Sequence, residues 1–169
     1  MQFDKSRLLD FLETLDNEMT KRITIVAVGG TAMTILDLRT STIDIDFTVP
    51  SSDYQEFEKA LKSVPHGFKV DVWQDGMIFS QILPGDYLEK SIEIVTTFEH
   101  IHLRALQPVD IVITKIGRLD ERDLQDIEAC IKRFGISKIQ IEERASNVQY
   151  VGREENYLGN LKYVVEKFF

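Results

Sequence analysis

The stretch Val26-Ala-Val-Gly-Gly-Thr-Ala-Met33, followed at short range by Thr42-Ile-Asp-Ile-Asp-Phe47, decides how this chain folds. The residues leading into it, Ile23 to Val28, are dense in β-branched side chains and apolar at nearly every position, the pattern of a strand buried on both faces. Gly29-Gly30 ends that strand, and Thr31 to Leu38 reads as a short helix. Two glycines between strand and helix let the backbone approach a ligand closely, with the N–H groups of Gly30, Thr31 and Ala32 turned toward an anion such as phosphate. An ordinary tight turn that needs positive φ is the plainer alternative. The next strand, Ile43 to Val49, alternates strictly and stops at Pro50. Alternation places Asp44 and Asp46 on one face and Ile43, Ile45 and Phe47 on the other. Two carboxylates about 6 to 7 Å apart along a strand can converge on one or two divalent ions, and hard oxygen donors favour magnesium or manganese over zinc. A solvated edge strand with its acids facing water competes with that reading of D-x-D alone. No G-K-[ST] follows the glycines and no G-x-G-x-x-G occurs, so neither a Walker A loop nor a dinucleotide fingerprint is present.

Working outward, Leu8, Phe11, Leu12, Leu15 and Met19 share one face of an N-terminal helix, with Asp4 as N-cap and Phe3 and Leu8 spaced as a hydrophobic staple. Ser51 or Ser52 is the expected cap of a helix to about Ser63, whose inward stripe is Tyr54, Phe57, Ala60, Leu61 and Val64. Pro65-His66-Gly67 breaks it. Phe68 to Trp73 follows as a third strand, and after the turn at Asp75-Gly76 the segment Met77 to Leu83 is expected to pair back as a hairpin. Ser91 to Val95 and His100 to Leu106 are two more extended segments. Pro108 suits the first turn of a helix running to about Gly117. The next helix carries Leu124, Ile127, Ile131 and Phe134 inward and ends at Gly135 as a left-handed cap. Ser137 to Phe169 holds two further helical stretches without a recognisable motif. The division expected is residues 1–136 as a core domain and 137–169 as a helical extension packed on it.

The chain has 169 residues, and its 20 Lys and Arg against 28 Asp and Glu leave a net charge of −8. With 43% hydrophobic and 28% charged residues it can bury a core and keep a solvated surface, which excludes general disorder. The acidic excess argues against a large nucleic-acid footprint. Cys130 stands alone and cannot form an internal disulfide, and no leader-like pattern opens the chain, so a cytoplasmic setting is expected. Its longest apolar run is far short of the roughly 18 residues of a membrane span. Cys130 reads as a buried structural thiol. His66, His100 and His102 lack cysteine companions at zinc spacing. Lys115 suits triphosphate oxygens as a point charge, or else is a solvated helix lysine. Asp123 and Asp126 read as structural salt-bridge partners. Trp73 is placed either to stack a base or to pack at the rim of the core.

Gly29, Gly30, Asp44, Ile45, Asp46 and Phe47 together resemble the signature of nucleotidyltransferases of the DNA polymerase β type: a strand, a Gly-Gly or Gly-Ser turn opening a helix, then D-h-D-h with h apolar. A further acid on a later strand completes the site in that superfamily, and Asp71 in Phe68-Lys-Val-Asp-Val-Trp73 holds the expected place, with Glu93 in Ser91-Ile-Glu-Ile-Val95 as its rival. Leu106-Gln-Pro-Val-Asp-Ile-Val-Ile-Thr-Lys115 and Arg122-Asp-Leu-Gln-Asp-Ile127 are similar to a segment of small prokaryotic members related to abortive-infection toxins, in which a lysine-bearing helix precedes R-x-K-D-x-x-D-I. This chain departs from that pattern with Asp120 at the arginine position and Arg122 at the lysine position. The resemblance spans about Ile23 to Phe134. It implies an α+β fold with a mixed sheet flanked by helices and a helical C-terminal region. It further implies magnesium- or manganese-dependent transfer of a nucleoside monophosphate from a nucleoside triphosphate to an RNA, protein or small-molecule acceptor. Asp44, Asp46 and Asp71 would then be catalytic and metal-binding, and Gly29, Gly30, Thr31 and Lys115 nucleotide-binding. A toxin role would bring an antitoxin partner or self-association, and a catalytically inactive binding or regulatory protein of the same fold is the alternative.

Overall fold

A computed structural model describes residues 1–152 and 154–169. In chain order its elements are α1 (Lys5–Asn17), β1 (Ile23–Ala27), α2 (Gly29–Ile35), β2 (Ile45–Val49), α3 (Ser51–Ser63), β3 (Val70–Gln74), β4 (Met77–Ile78) and β5 (Gln81–Ile82). They continue with α4 (Tyr87–Lys90), β6 (Ile92–Glu93), β7 (Ile101–Ala105), α5 (Pro108–Ile116), α6 (Glu121–Phe134), α7 (Lys138–Ala145), β8 (Gln149–Tyr150) and α8 (Glu154–Phe168). The α+β class read from the sequence is the class observed.

The main sheet has the order β3-β2-β1-β7-β6 and is mixed. β1 runs antiparallel to β2 and parallel to β7, while β2 and β3 run parallel. Parallel neighbours need a crossover, and α3 supplies the one between β2 and β3. β1 is central and almost wholly apolar, so it accepts cover on both faces. β2 is buried at all five positions, and Phe47 meets Phe57 of α3 edge-on with ring centroids 5.7 Å apart. The expected strand from Ile43 is shorter: Ile43 and Asp44 form a bend, and Ile43 is half exposed instead of packing beside Ile45.

Two local expectations are corrected. Met77 to Leu83 does not pair with β3; β4 and β5 form their own hairpin, which β8 extends into a second, three-stranded sheet. The turn residues are tied to β2 instead, the Asp75 N–H donating to the Val49 carbonyl at 3.0 Å and the Gly76 N–H to Thr48 Oγ1 at 2.9 Å, and the Gly76 carbonyl accepts from the Leu83 N–H at 3.0 Å, on the far side of the β4–β5 hairpin. Neither Ser51 nor Ser52 caps α3: the N-cap position is Pro50, which has no side-chain acceptor to offer, and Asp75 Oδ1 accepts from the Ser51 N–H at 2.8 Å instead. Asp4 does cap α1, Pro108 does open α5, and Gly135 ends α6 with φ +62°. Among the described residues no helix is long and apolar enough to cross a membrane.

Candidate active site

β2 and β3 are in register at Asp46 and Asp71. Partners in a parallel ladder point to the same side of the sheet, so the two carboxylates stand next to each other on adjoining strands. Asp44 lies in the bend just before β2, exposed, and its position is fixed through its backbone: its carbonyl accepts from Thr31 Oγ1 at 3.1 Å and from Thr42 Oγ1 at 2.9 Å. The Asp46 N–H donates to Thr31 Oγ1 at 2.9 Å. The Thr31 hydroxyl thus stitches α2 to the start of β2 and is fully buried. Any ligand contact from Thr31 would have to come from its backbone. The Ala32 N–H, expected to face an anion, bonds the Val28 carbonyl at 3.1 Å. The N–H groups of the first helical turn ahead of it have no intrahelical partner.

Gly29 takes φ +53°, and a Cβ there would stand 3.4 Å from Asp46 Oδ2. A Cβ on Gly30 would fall 2.5 Å from Thr42 Oγ1 and 3.1 Å from the Arg39 guanidinium. The second glycine is therefore required by the packing of the loop that carries Asp44, a reason invisible in the Gly-Gly pattern itself.

A cavity of about 490 Å³ gathers Gly29, Gly30, Asp44, Asp46, Asp71 and Lys115. Arg39, Lys69, Arg118 and Arg122 also line it, as do Phe79, Gln81 and Tyr150. Glu93 is elsewhere: it lies on β6, its Oε1 is 3.0 Å from His102 Nε2, and it faces a different cavity of about 540 Å³ beside Arg22 and His100. Only Asp71 of the two rival acids shares a cavity with Asp44 and Asp46.

Against this geometry stands one comparison: the nucleotidyltransferases of unknown function designated DUF6036 match residues 6–168. The chain belongs to this family. No curated protein and no solved structure matches it. The DUF6036 match runs through residues 137–169, so the segment without a motif lies within the family's own length.

The electrostatics of this DUF6036 site are uneven. Asp46 is 6% exposed, and its carboxyl is pushed up to about 7, first by burial and then by Asp44 and Asp71, against the pull of Lys69 and Lys115. Lys69 Nζ sits 3.0 Å from Asp71 Oδ1, and that contact holds the exposed ammonium above its ordinary value. Lys115 is not a solvated helix lysine. It is buried, with Nζ 2.7 Å from Asp126 and 3.3 Å from Asp123. Arg39 bonds Asp126 at 3.2 Å, and Arg118 grips Asp123 through two hydrogen bonds of 2.8 Å. Burial alone would raise the Asp123 carboxyl, but Arg118, Lys115 and the Asp120 backbone outweigh it and hold it below the ordinary range. Arg122 lies at the rim without an ion pair among the described residues. Asp120, the departure from the toxin-like pattern, caps α6 in a reciprocal box with Asp123. Sequence reasoning missed Arg39 and Arg118, whose spacing from the acids carries no signal until α2 and α5 pack together.

The remaining candidates are structural. Cys130 is buried against Met33 and its thiol is pushed up to about 12 by burial. His66 lies against Phe11 and Phe68, and His100 bonds Asp16. Trp73 packs on Phe79 at 4.8 Å between ring centroids. Among the described residues no three His, Cys, Asp or Glu side chains form a ready metal cluster. Asp44, Asp46 and Asp71 nevertheless present only carboxylate oxygens, and among the described residues no cationic side chain lies at ion-pair distance from Asp46. That donor set suits a hard cation whose shell is completed by phosphate and water, and does not suit zinc.

Proposed function

We propose that this chain transfers a nucleoside monophosphate from a nucleoside triphosphate to an acceptor hydroxyl, with magnesium or manganese as the supporting ion. The observation that carries the reading is the side-by-side register of Asp46 and Asp71, with Asp44 and the open backbone of Gly29 in the same cavity. In the reaction the acceptor oxygen bonds to the α-phosphorus, the bond from that phosphorus to the β-bridging oxygen breaks, and pyrophosphate leaves. Asp44, Asp46 and Asp71 would hold the divalent ion, which when bound neutralises the triphosphate and lowers the pKa of the attacking hydroxyl. Asp71 takes the hydroxyl proton, and the Lys69 ammonium 3.0 Å from its Oδ1 holds the carboxylate in place. The first turn of α2 seats phosphate oxygens, where Gly29 and Gly30 leave no side chain in the way. Arg122 at the rim meets the leaving group as it develops charge.

Calorimetry with magnesium and each nucleoside triphosphate is expected to show affinity that Asp44→Asn/Asp46→Asn reduces by at least about tenfold, since phosphate and protein share the metal shell. Equal affinities would overturn the metal site. Asp71→Asn is expected to lower transfer by about 10² to 10⁴-fold while nucleotide affinity changes little, with Glu93→Gln near wild type. The acceptor is to be sought in a cell extract, where similarity to toxin-related members directs attention to RNA and protein. Nucleotide binding without transfer to any acceptor would favour the non-catalytic reading, for which the double neutralisation of Lys115 is the one supporting observation.

A further inference from the structure

The loop between α2 and β2 turns Arg39 inward, where it lines the cavity that holds Asp44, Asp46 and Asp71. Its side chain is 16% exposed, and its Nη1 lies 3.1 Å from where a Cβ on Gly30, another residue of the cavity wall, would stand. A guanidinium carries five N–H donors in one rigid plane. Among the described residues Arg39 uses one nitrogen, with Nη1 donating to Asp126 Oδ2 at 3.2 Å. None of its unbonded nitrogens is sealed from solvent, so the remaining donors are open to a ligand. Arg118 lines the same cavity but gives both Nε and Nη2 to Asp123 at 2.8 Å, which occupies that edge of its fork. Asp126 anchors a second cation as well: its Oδ2 is 2.7 Å from Lys115 Nζ. Arg39 and Lys115 both line the cavity and Asp126 does not. The shared carboxylate, 6% exposed, therefore stands behind the two cations.

We infer that Arg39 binds the polyphosphate tail of the nucleotide through its open N–H edge, and that Asp126, by holding Arg39 and Lys115 from behind, is its positioning residue. The inference rests on the nucleoside-triphosphate reading above and names the side chain that grips the tail. The planar fork of a guanidinium matches two phosphate oxygens at once, which an ammonium does not. Carboxylates on β2 and β3 repel phosphate, so the tail is drawn to the wall that carries fixed donors. An arginine already tied to a buried carboxylate loses little further freedom when it binds, and the affinity it contributes is correspondingly larger. Asp126 thus acts on the ligand only through the cations in front of it.

The test is calorimetric titration of the full chain with magnesium tripolyphosphate, which has the tail without sugar or base. Arg39→Gln is expected to weaken binding by about ten- to hundredfold, the range of hydrogen bonds to a charged group. Arg39→Lys keeps a cation for Asp126 but has no fork, so it should melt near the wild-type temperature and still bind about tenfold more weakly. Full affinity with lysine would overturn the contact and leave Arg39 a structural ion pair. Asp126→Asn decides the positioning role by its sign. It removes a negative charge beside the site, so a plain field effect would tighten binding, whereas loss of position weakens it. The weakening should also be smaller in the Arg39→Gln background, because Asp126 acts through Arg39. Tighter binding, or an equal loss in both backgrounds, overturns the role given to Asp126. Arg22→Gln makes the same change of charge at the other cavity and should leave affinity as in wild type. Wild-type affinity in Arg39→Gln, or a wild type that binds a nucleoside triphosphate but no tripolyphosphate, overturns the inference and leaves the triphosphate reading standing. A wild type that binds neither overturns both. Should Asp126→Asn not fold, the two Arg39 variants still decide the contact.

Discussion

Gly30 shows how a single residue couples fold and site. Its missing side chain leaves room for Thr42 Oγ1, which in turn holds the Asp44 carbonyl. Gly30→Ala places a methyl 2.5 Å from that hydroxyl, a distance at which the loop must move. The expected cost is about 1 to 3 kcal/mol, in the range of core overpacking, with weakened nucleotide binding because Asp44 moves with the loop. Gly30→Ala/Thr42→Ala removes the clashing oxygen, so its melting temperature should exceed the sum of the single effects. Strict additivity in thermal melts would refute the contact as the cause. The acids at this scale differ in legibility. D-I-D announces itself through alternation, whereas the choice between Asp71 and Glu93 depends on strand order, and both sit between apolar neighbours in sequence. The burial of Lys115 has a related cause: its partners are Asp123, Asp126 and, through Asp126, Arg39, which no local pattern links.

Among the elements, α5 is the hub, packing against α2, α6, α7 and α8. A helix leaves its last carbonyls without partners, and here other elements meet them. Tyr157 Oη donates to Ile113 at 2.8 Å, Gln81 to Thr114 at 2.9 Å and Asn160 to Ile116 at 2.8 Å. Tyr157→Phe is expected to cost about 1 to 2 kcal/mol in urea unfolding, the worth of a buried hydrogen bond with its acceptor left behind; no change would mean that the carbonyl finds another donor. The α6 N-terminus gives a pH prediction. The Asp123 carboxyl lies below its ordinary 3.8 in the folded chain. It therefore contributes stability that is complete above about that pH and lost as pH falls through the lower folded value. Asp123→Asn should cost about 3 kcal/mol near neutrality, as a buried pair broken on one side, and should flatten the acid limb of the stability curve. An acid limb as steep as in wild type would show that other carboxylates govern it. The β4–β5 hairpin was not legible because its two-residue strands are too short for periodicity to register, and its partner β8 lies some 70 residues further along the chain.

For the molecule as a whole, the order of helices and strands from Met1 to Gly135 was readable because each long element carries its own period and stop signal. The place of residues 137–169 was not, since what binds them is tertiary: β8 completes the small sheet, Tyr150 reaches the cavity, and α8 buries Tyr157, Val164 and Val165. The division expected at residue 136 thus marks a change in sequence character, while the contacts run across it. If the caps on α5 and the β5–β8 pairing hold this segment to the core, it should not melt ahead of the sheet. Native-state hydrogen exchange is expected to give the amides of Val164 and Val165 in α8 opening free energies close to those of Ile25 and Val26 in β1, both tracking global unfolding. Tyr157→Phe should lower the two sets together. Exchange from α8 several kcal/mol before β1 would instead make the C-terminal helix a separable layer, and the site would then be closed by an element that opens on its own.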